Sequence, residues 1–236
     1  SHYQILFTRW IIECILASKE NNDEETFTIL YPYYEKLLKG CFFFCNNKSS
    51  ENNIPFPLIG DVSPDFSPIW FKDFYKLFNE NKHNTDFRGW AFIIANYFNE
   101  AFEQIKLKYT FNFNKWMIYP ESNWGRLNFH DWIAIWHLEN SKGNPIGSHS
   151  HLDLGSVILF WKGEEVLIDI GRLNYNSSGE GNFGLTAQGH STLCIDDYSP
   201  ALTQGHRLYP NSYRDMNLEI NHTSYDKENS EILSIK

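Results

Sequence analysis

An α+β chain is expected, helices first and strands after, and three observations predict it. Apolar residues recur at helical spacing from Tyr3 to about Leu107. A loop carrying the breakers Pro55, Pro57, Gly60, Pro64 and Pro68 interrupts that spacing once. From about Thr110 onward the period changes to the alternation of extended chain. Helices followed by a run of strands indicate either one α+β unit or two domains, with the boundary near residue 108, so that 1–108 is helical and 109–236 is β-rich.

The elements follow in order. Ile5, Leu6, Trp10, Ile11, Cys14 and Ile15 form a first helical stripe, and Phe27, Leu30, Tyr34, Leu37 and Leu38 a second that runs into Phe42 to Phe44. Beyond the proline loop, stripes return at Trp70 to Phe78 and Trp90 to Ile105. Trp132, Ala134, Trp136 and Leu138 alternate with Ile133, Ile135 and His137, as in a strand covered on both faces. Ser156 to Trp161 and Glu165 to Asp169 flank Lys162-Gly163, a hairpin turn with glycine where φ is positive. Thr192 to Ile195, Asn217 to Ile220 and Glu231 to Ile235 are expected as further strands.

Composition excludes some functions. The net charge of −9 disfavours nucleic acid and anionic membrane as partners. It weighs less against an acidic polymer, since a local basic cluster can dominate a cleft. Aromatic residues make up 17% of the chain, and flat rings are the surfaces on which sugars stack, although most are expected simply to fill core. No stretch reaches membrane-spanning length without charge. Cys14, Cys41, Cys45 and Cys194 have no zinc-finger or disulfide spacing and are expected as buried free thiols. The chain opens in helix-like sequence without a basic-then-apolar leader and closes in strand-like sequence, as expected of a segment of a longer protein.

One constellation carries chemistry. His149-Ser150-His151 places two imidazoles on one side of an extended chain. Asp169 ends the apolar run Val166-Leu167-Ile168, where a lone carboxylate is costly. His190 follows the glycine- and asparagine-rich loop 174–189 and is expected to open a strand. Two or three imidazoles with a carboxylate make a zinc-type shell. The condition is geometric: a straight strand would leave His151 roughly 17 Å along from the position facing Asp169. The segment Leu152-Asp153-Leu154-Gly155 must therefore curl back, with Gly155 as the bend. His137 is expected as a hydrogen-bonded core residue, and His83, His206 and His222 as solvated ones. A His-x-His pair by itself is as often plain strand decoration.

The run Gly147-Ser148-His149-Ser150-His151-Leu152-Asp153 with Gly155-Ser156, Gly163, Leu167-Ile168-Asp169-Ile170-Gly171 and Gly189-His190-Ser191-Thr192-Leu193-Cys194-Ile195-Asp196 resembles the heparinase II/III-like polysaccharide lyases, a group that includes alginate lyases. Ile59-Gly60-Asp61-Val62-Ser63-Pro64-Asp65 resembles their helical portion, and Ser191 departs from the Asn common after the histidine that His190 matches. The resemblance implies the C-terminal part of an α/α toroid followed by an antiparallel β-sandwich, with a cleft between them. It implies His151, Asp169 and His190 as ligands of a divalent, zinc-like and structural metal, His149 as a cleft residue that contacts substrate or assists catalysis, and Tyr3 as the catalytic tyrosine. The implied reaction is β-elimination on an acidic, uronate-containing polysaccharide, in the periplasm or outside the cell, with any leader upstream of Ser1. The residues that neutralise the substrate carboxylate in relatives lie upstream of this segment, so the chain alone is expected to be inactive. Two other classes compete. A cupin-like metalloenzyme shares the His-x-His pattern, but Leu152 to Gly155 supply no glutamate and the helices go unexplained. A non-catalytic carbohydrate-binding protein would use the metal only as a staple.

Overall fold

The computed structural model describes residues 2–46, 56–62, 93–94, 96–105, 116–119, 122, 124–137, 151–153, 155–174, 179–194, 203–204, 207–208, 220–225 and 230–235. Helix α1 (His2–Glu20) and helix α2 (Glu24–Phe44) are joined by a turn in which Asn22 takes a positive φ. Asp23 caps α2 by accepting from the Thr26 amide at 3.0 Å, and Glu24 and Glu25 sit in the first turn, where the helix dipole favours negative charge. The start of α1 lies against the end of α2, so the two are antiparallel: Gln4 Nε2 donates to the Leu37 carbonyl at 3.0 Å, and Thr8 Oγ1 meets Cys41 Sγ at 3.1 Å. Gly40 permits this approach, since a Cβ there would stand 2.9 Å from the Gln4 amide nitrogen. A third, short helix, α3 (Asn99–Ile105), contributes buried Ala101 and Phe102.

The sheet is a five-stranded antiparallel meander: β1 (Trp116–Tyr119), β2 (Trp124–Phe129), β3 (Trp132–His137), β4 (Val157–Trp161) and β5 (Glu164–Leu167). Lys162 and Gly163, with φ of 51° and 90°, make the two-residue turn between β4 and β5. The two-residue turn between β2 and β3 differs, with a positive φ at His130 (50°) but not at Asp131. Ile133 and Ile135 of β3 and Ile158 and Phe160 of β4 turn one face inward, and these join Ile5, Ile12, Tyr34, Leu38, Phe43 and Phe102 in one hydrophobic cluster. That shared cluster welds the helical layer to the sheet by removing both apolar faces from water.

Among the described residues, one fully buried cation, Arg126, sits at the join. Arg126 of β2 gives Nη1 to the carbonyls of Phe43 at 2.6 Å and Cys45 at 2.7 Å, satisfying acceptors that the end of α2 leaves open. Asn46 Nδ2 reaches the Gly163 carbonyl at 2.8 Å and ties the same helix end to the β4–β5 turn.

After β5 come α4 (Glu180–Leu185) and a 3-10 turn (Ala187–Gly189), then the pairs β6 (Thr203–Gln204) with β7 (Arg207–Leu208) and β8 (Ile220–Tyr225) with β9 (Ser230–Ile235).

Several expectations are corrected. In α1 the buried line is Ile5, Thr8, Ile12, Ile15 and Leu16, while Trp10 and Cys14 face outward. Apolar residues surround this helix, and Tyr3, Phe7 and Trp10 form a second, half-exposed line. Cys41 and Cys45 are buried free thiols, but Cys14 is exposed and Cys194 only partly covered. The strand face carrying Trp132 is covered at Trp136 but open at Trp132. The run Val166-Leu167-Ile168 is 43–49% exposed, because β5 is an edge strand. The stretch 174–189 holds two short helices within its described residues, and Thr192 to Cys194 form no strand. The strand expected at Asn217 to Ile220 lies instead at Ile220–Tyr225. Trp70 to Phe78, the boundary near 108, His83, His206 and Ile195 lie outside the described residues.

Candidate functional site

The curl on which the site depends is present. Gly155 takes φ +70°, Ser156 donates to the Asp153 carbonyl at 2.8 Å, and Gly155 donates to the His137 carbonyl at 3.0 Å. The chain thus turns just before β4 and leaves His151 beside the sheet, 2% exposed.

Asp169, just past the end of β5, is equally buried, in contrast to the exposed residues before it. Its Oδ1 accepts from the Gly171 amide at 2.7 Å, and its Oδ2 lies 2.9 Å from His190 Nδ1. His190 reaches this position from the 3-10 turn. Its neighbour Ser191 stitches the segment between two strands, accepting from the Val157 amide at 3.1 Å and donating Oγ to the Ile168 carbonyl at 2.7 Å. The His151 and His190 rings stand 5.3 Å apart. Burial presses the His190 pKa down, but the hydrogen bond and charge of Asp169, helped by Asp153, outweigh it and leave the pKa raised.

Among the described residues, His151 Nδ1 and Nε2 and His190 Nε2 are buried without a hydrogen-bond partner of good geometry, although the Gly184 backbone acts on His190. Each such atom costs about 1–3 kcal/mol unless something engages it. Among the described residues, no three or more His, Cys, Asp or Glu side chains form a ready metal-ligand group; His151, Asp169 and His190 are neighbours in pairs.

The sequence reading missed the second ring of groups. Asp61, on the segment 56–62, places Oδ1 3.7 Å from His151 Nε2, and Arg172 Nη1 lies 3.2 Å from the same oxygen. Asp153 is buried and acts electrostatically on both His190 and His137. The available signal was an acidic residue after a loop glycine, at Gly60-Asp61, and another two residues after His151. His137 is covered as expected, stacked on Trp124 at 4.2 Å, and burial lowers its pKa despite Asp153.

The two catalytic candidates stand differently. His149 lies outside the described residues. Tyr3 occupies the first turn of α1 and is 51% exposed. A cavity of about 320 Å³, whose lining does not include Tyr3, opens where the two helices meet the β1–β2 hairpin, walled by Gln4, Lys36, Phe43, Phe44, Tyr119 and Trp124. Trp124 links the two regions, lining the cavity while its ring stacks on His137.

Residues 118–233 match the family of heparinase II/III-like C-terminal domains. The chain is similar in fold to the crystal structure of the heparan sulfate lyase HepC from Pedobacter heparinus, with a TM-score of 0.54 and 16% identity over 99% of this chain. A mutant of that lyase gives a TM-score of 0.57 at the same identity and coverage. The chain spans 32% of the length of either structure. No protein of curated function matches it.

Proposed function

We infer that this chain, which belongs to the heparinase II/III-like family through residues 118–233, is a segment of a polysaccharide lyase that cleaves a uronate-containing polymer by β-elimination. The observation that carries this reading is the cavity at the helix–sheet junction. Its walls offer Trp124, Tyr119 and Phe44 for the apolar faces of a sugar ring, and Lys36 and Gln4 for its acidic and hydroxyl groups. In this reading 1–108 is the end of an α/α toroid and 109–236 a β-sandwich, the intact protein works in the periplasm or outside the cell, and its partner is the acidic polysaccharide.

The chemistry asks for three tasks. The C5 proton becomes acidic once the neighbouring carboxylate is neutralised, which stabilises the enolate-like intermediate. Tyr3 or His149 removes that proton, and an acid protonates the departing O4. No water is consumed, and the product carries a C4–C5 double bond. Lys36 supplies a cation in the cavity wall, but the residues assigned to carboxylate neutralisation belong upstream, so the chain alone is expected to turn over little or nothing.

His151, Asp169 and His190 are assigned to a divalent, zinc-like ion. The donor types fit, two imidazoles and a carboxylate, and the unengaged nitrogens of His151 and His190 support it. Such an ion would staple the curl at 151–155, the end of β5 and the His190 segment without entering the elimination.

The test is ultraviolet detection of unsaturated product from the full-length protein on a panel of uronate polymers. Absorbance from a C4–C5 double bond, abolished by Tyr3→Phe or His149→Ala, is expected. Binding of polymer without cleavage would instead favour the non-catalytic carbohydrate-binding reading. The cupin-like reading has no support once the family is known.

A further inference from the structure

Three rings stand in a row at one end of the sheet. Tyr119, Trp124 and His137 are cross-strand partners on β1, β2 and β3, so their side chains leave one face of the sheet, the face that turns Ile133 and Ile135 toward the helices. Tyr119 and Trp124 line the cavity, whereas His137 is outside its lining. The His137 imidazole instead lies nearly flat on the Trp124 indole, with centroids 4.2 Å apart and planes 21° from parallel. Phe44 meets the same indole at 4.8 Å and 89°. His137 is itself held by the curl that carries His151. Its carbonyl accepts from the Gly155 amide at 3.0 Å, and its amide donates to the Ser156 carbonyl at 3.3 Å. The curl is tied down in turn by the Leu152 amide, which donates to the Leu185 carbonyl at 2.9 Å.

We propose that His137 is a positioning residue of the cavity, passing the geometry of the curl at 151–155 to the Trp124 indole and holding that indole in place as a wall. A residue pinned through both backbone groups presents its ring at a fixed place, and a flat ring stacked on the indole confines the side-chain torsions of Trp124. A ligand entering the cavity then meets a wall already ordered, and less of its binding free energy is lost in ordering it. The stack acts through shape. A second flat ring should therefore serve at position 137, and a flexible chain should not, even a polar one. That the ligand is a uronate sugar rests on the reading proposed above; the fixing of Trp124 by His137 does not.

The test follows the Trp124 indole N–H signal by nitrogen–proton NMR of the isotope-labelled chain, with Trp124→Phe to assign it among the 8 tryptophans. Wild type and His137→Phe are each expected to show one sharp Trp124 signal, and His137→Leu and His137→Gln a broadened or doubled one. Gly155→Ala, which strains the curl at φ +70° without altering either ring, is expected to disturb the signal in the same way. Affinity for short oligomers of glucuronate and of mannuronate, from calorimetry, is expected to fall about three- to ten-fold in His137→Leu and to return in His137→Phe. A Trp124 signal as sharp in His137→Leu as in wild type, or one restored by glutamine and not by phenylalanine, overturns the inference. So does an oligomer affinity that stays unchanged while the signal is disturbed. Wild type that binds neither oligomer removes the sugar reading of the cavity alone, since the Trp124 signal is read without ligand. Should His137→Leu not unfold cooperatively, the contrast between His137→Phe and His137→Gln decides.

Discussion

Two buried regions of this molecule are held by opposite means. The cluster under the sheet, where Ile133, Ile135, Ile158 and Phe160 meet Ile12, Leu38, Phe43 and Phe102, is apolar and asks for nothing beyond exclusion of water. The centre at His151, Asp169 and His190 is also buried, yet contains imidazole nitrogens with no hydrogen-bond partner among the described residues. Volume and shape stabilise the first region at any pH and in any buffer. In the reading proposed above, the second depends on what engages its polar atoms, so its contribution would change with bound metal. Close-packed apolar surface builds the scaffold, and the polar exception is where a ligand or metal can alter the free energy.

This contrast can be broken in graded steps. Phe160→Ala should cost about 3–5 kcal/mol in denaturant unfolding, with the same loss in chelator and in zinc. A loss that depended on metal would place the sheet core and the polar centre in one unit. Arg126→Met should cost about 3 kcal/mol, because it strands the Phe43 and Cys45 carbonyls at the end of α2, and this too should ignore chelator. Asp169→Asn should cost about 2 kcal/mol in zinc and clearly less in chelator, the reverse of core behaviour. His137 gives the smallest effect. Burial holds its pKa below the ordinary value, so the unfolded chain takes up a proton before the folded chain does as pH falls. Its contribution is therefore full above about pH 6.5 and declines as pH drops from there toward the lowered folded value. His137→Asn should flatten that part of the stability profile, and an unchanged acid limb would show that His137 is not the group responsible.

The sequence made the periodic features legible. Helical spacing located α1 and α2, and Lys162-Gly163 marked the β4–β5 turn. The requirement that the chain curl before β4 came from arithmetic on strand length, and Gly155 makes that bend, with the His151 and His190 rings 5.3 Å apart. What stayed hidden depends on three-dimensional neighbours. Trp10 and Cys14 share the apolar character of Ile12 but face away, because a helix apolar all round does not declare which side is inward. The apolar run before Asp169 reads as a buried strand, whereas its position at the sheet edge exposes it. Asp61 and Arg172 are 111 residues apart, and no local period joins them. Nothing local marks Arg126 as buried; the end of α2, more than eighty residues earlier, supplies its carbonyl partners.

The most direct measurement is elemental metal analysis of the purified chain beside its His151→Ala variant. About one zinc-like ion per chain in wild type, absent from a folded variant, is the result expected if His151, Asp169 and His190 hold the proposed divalent ion. No metal in either protein, with both unfolding cooperatively, would contradict it and leave His151 and His190 as buried histidines of the scaffold.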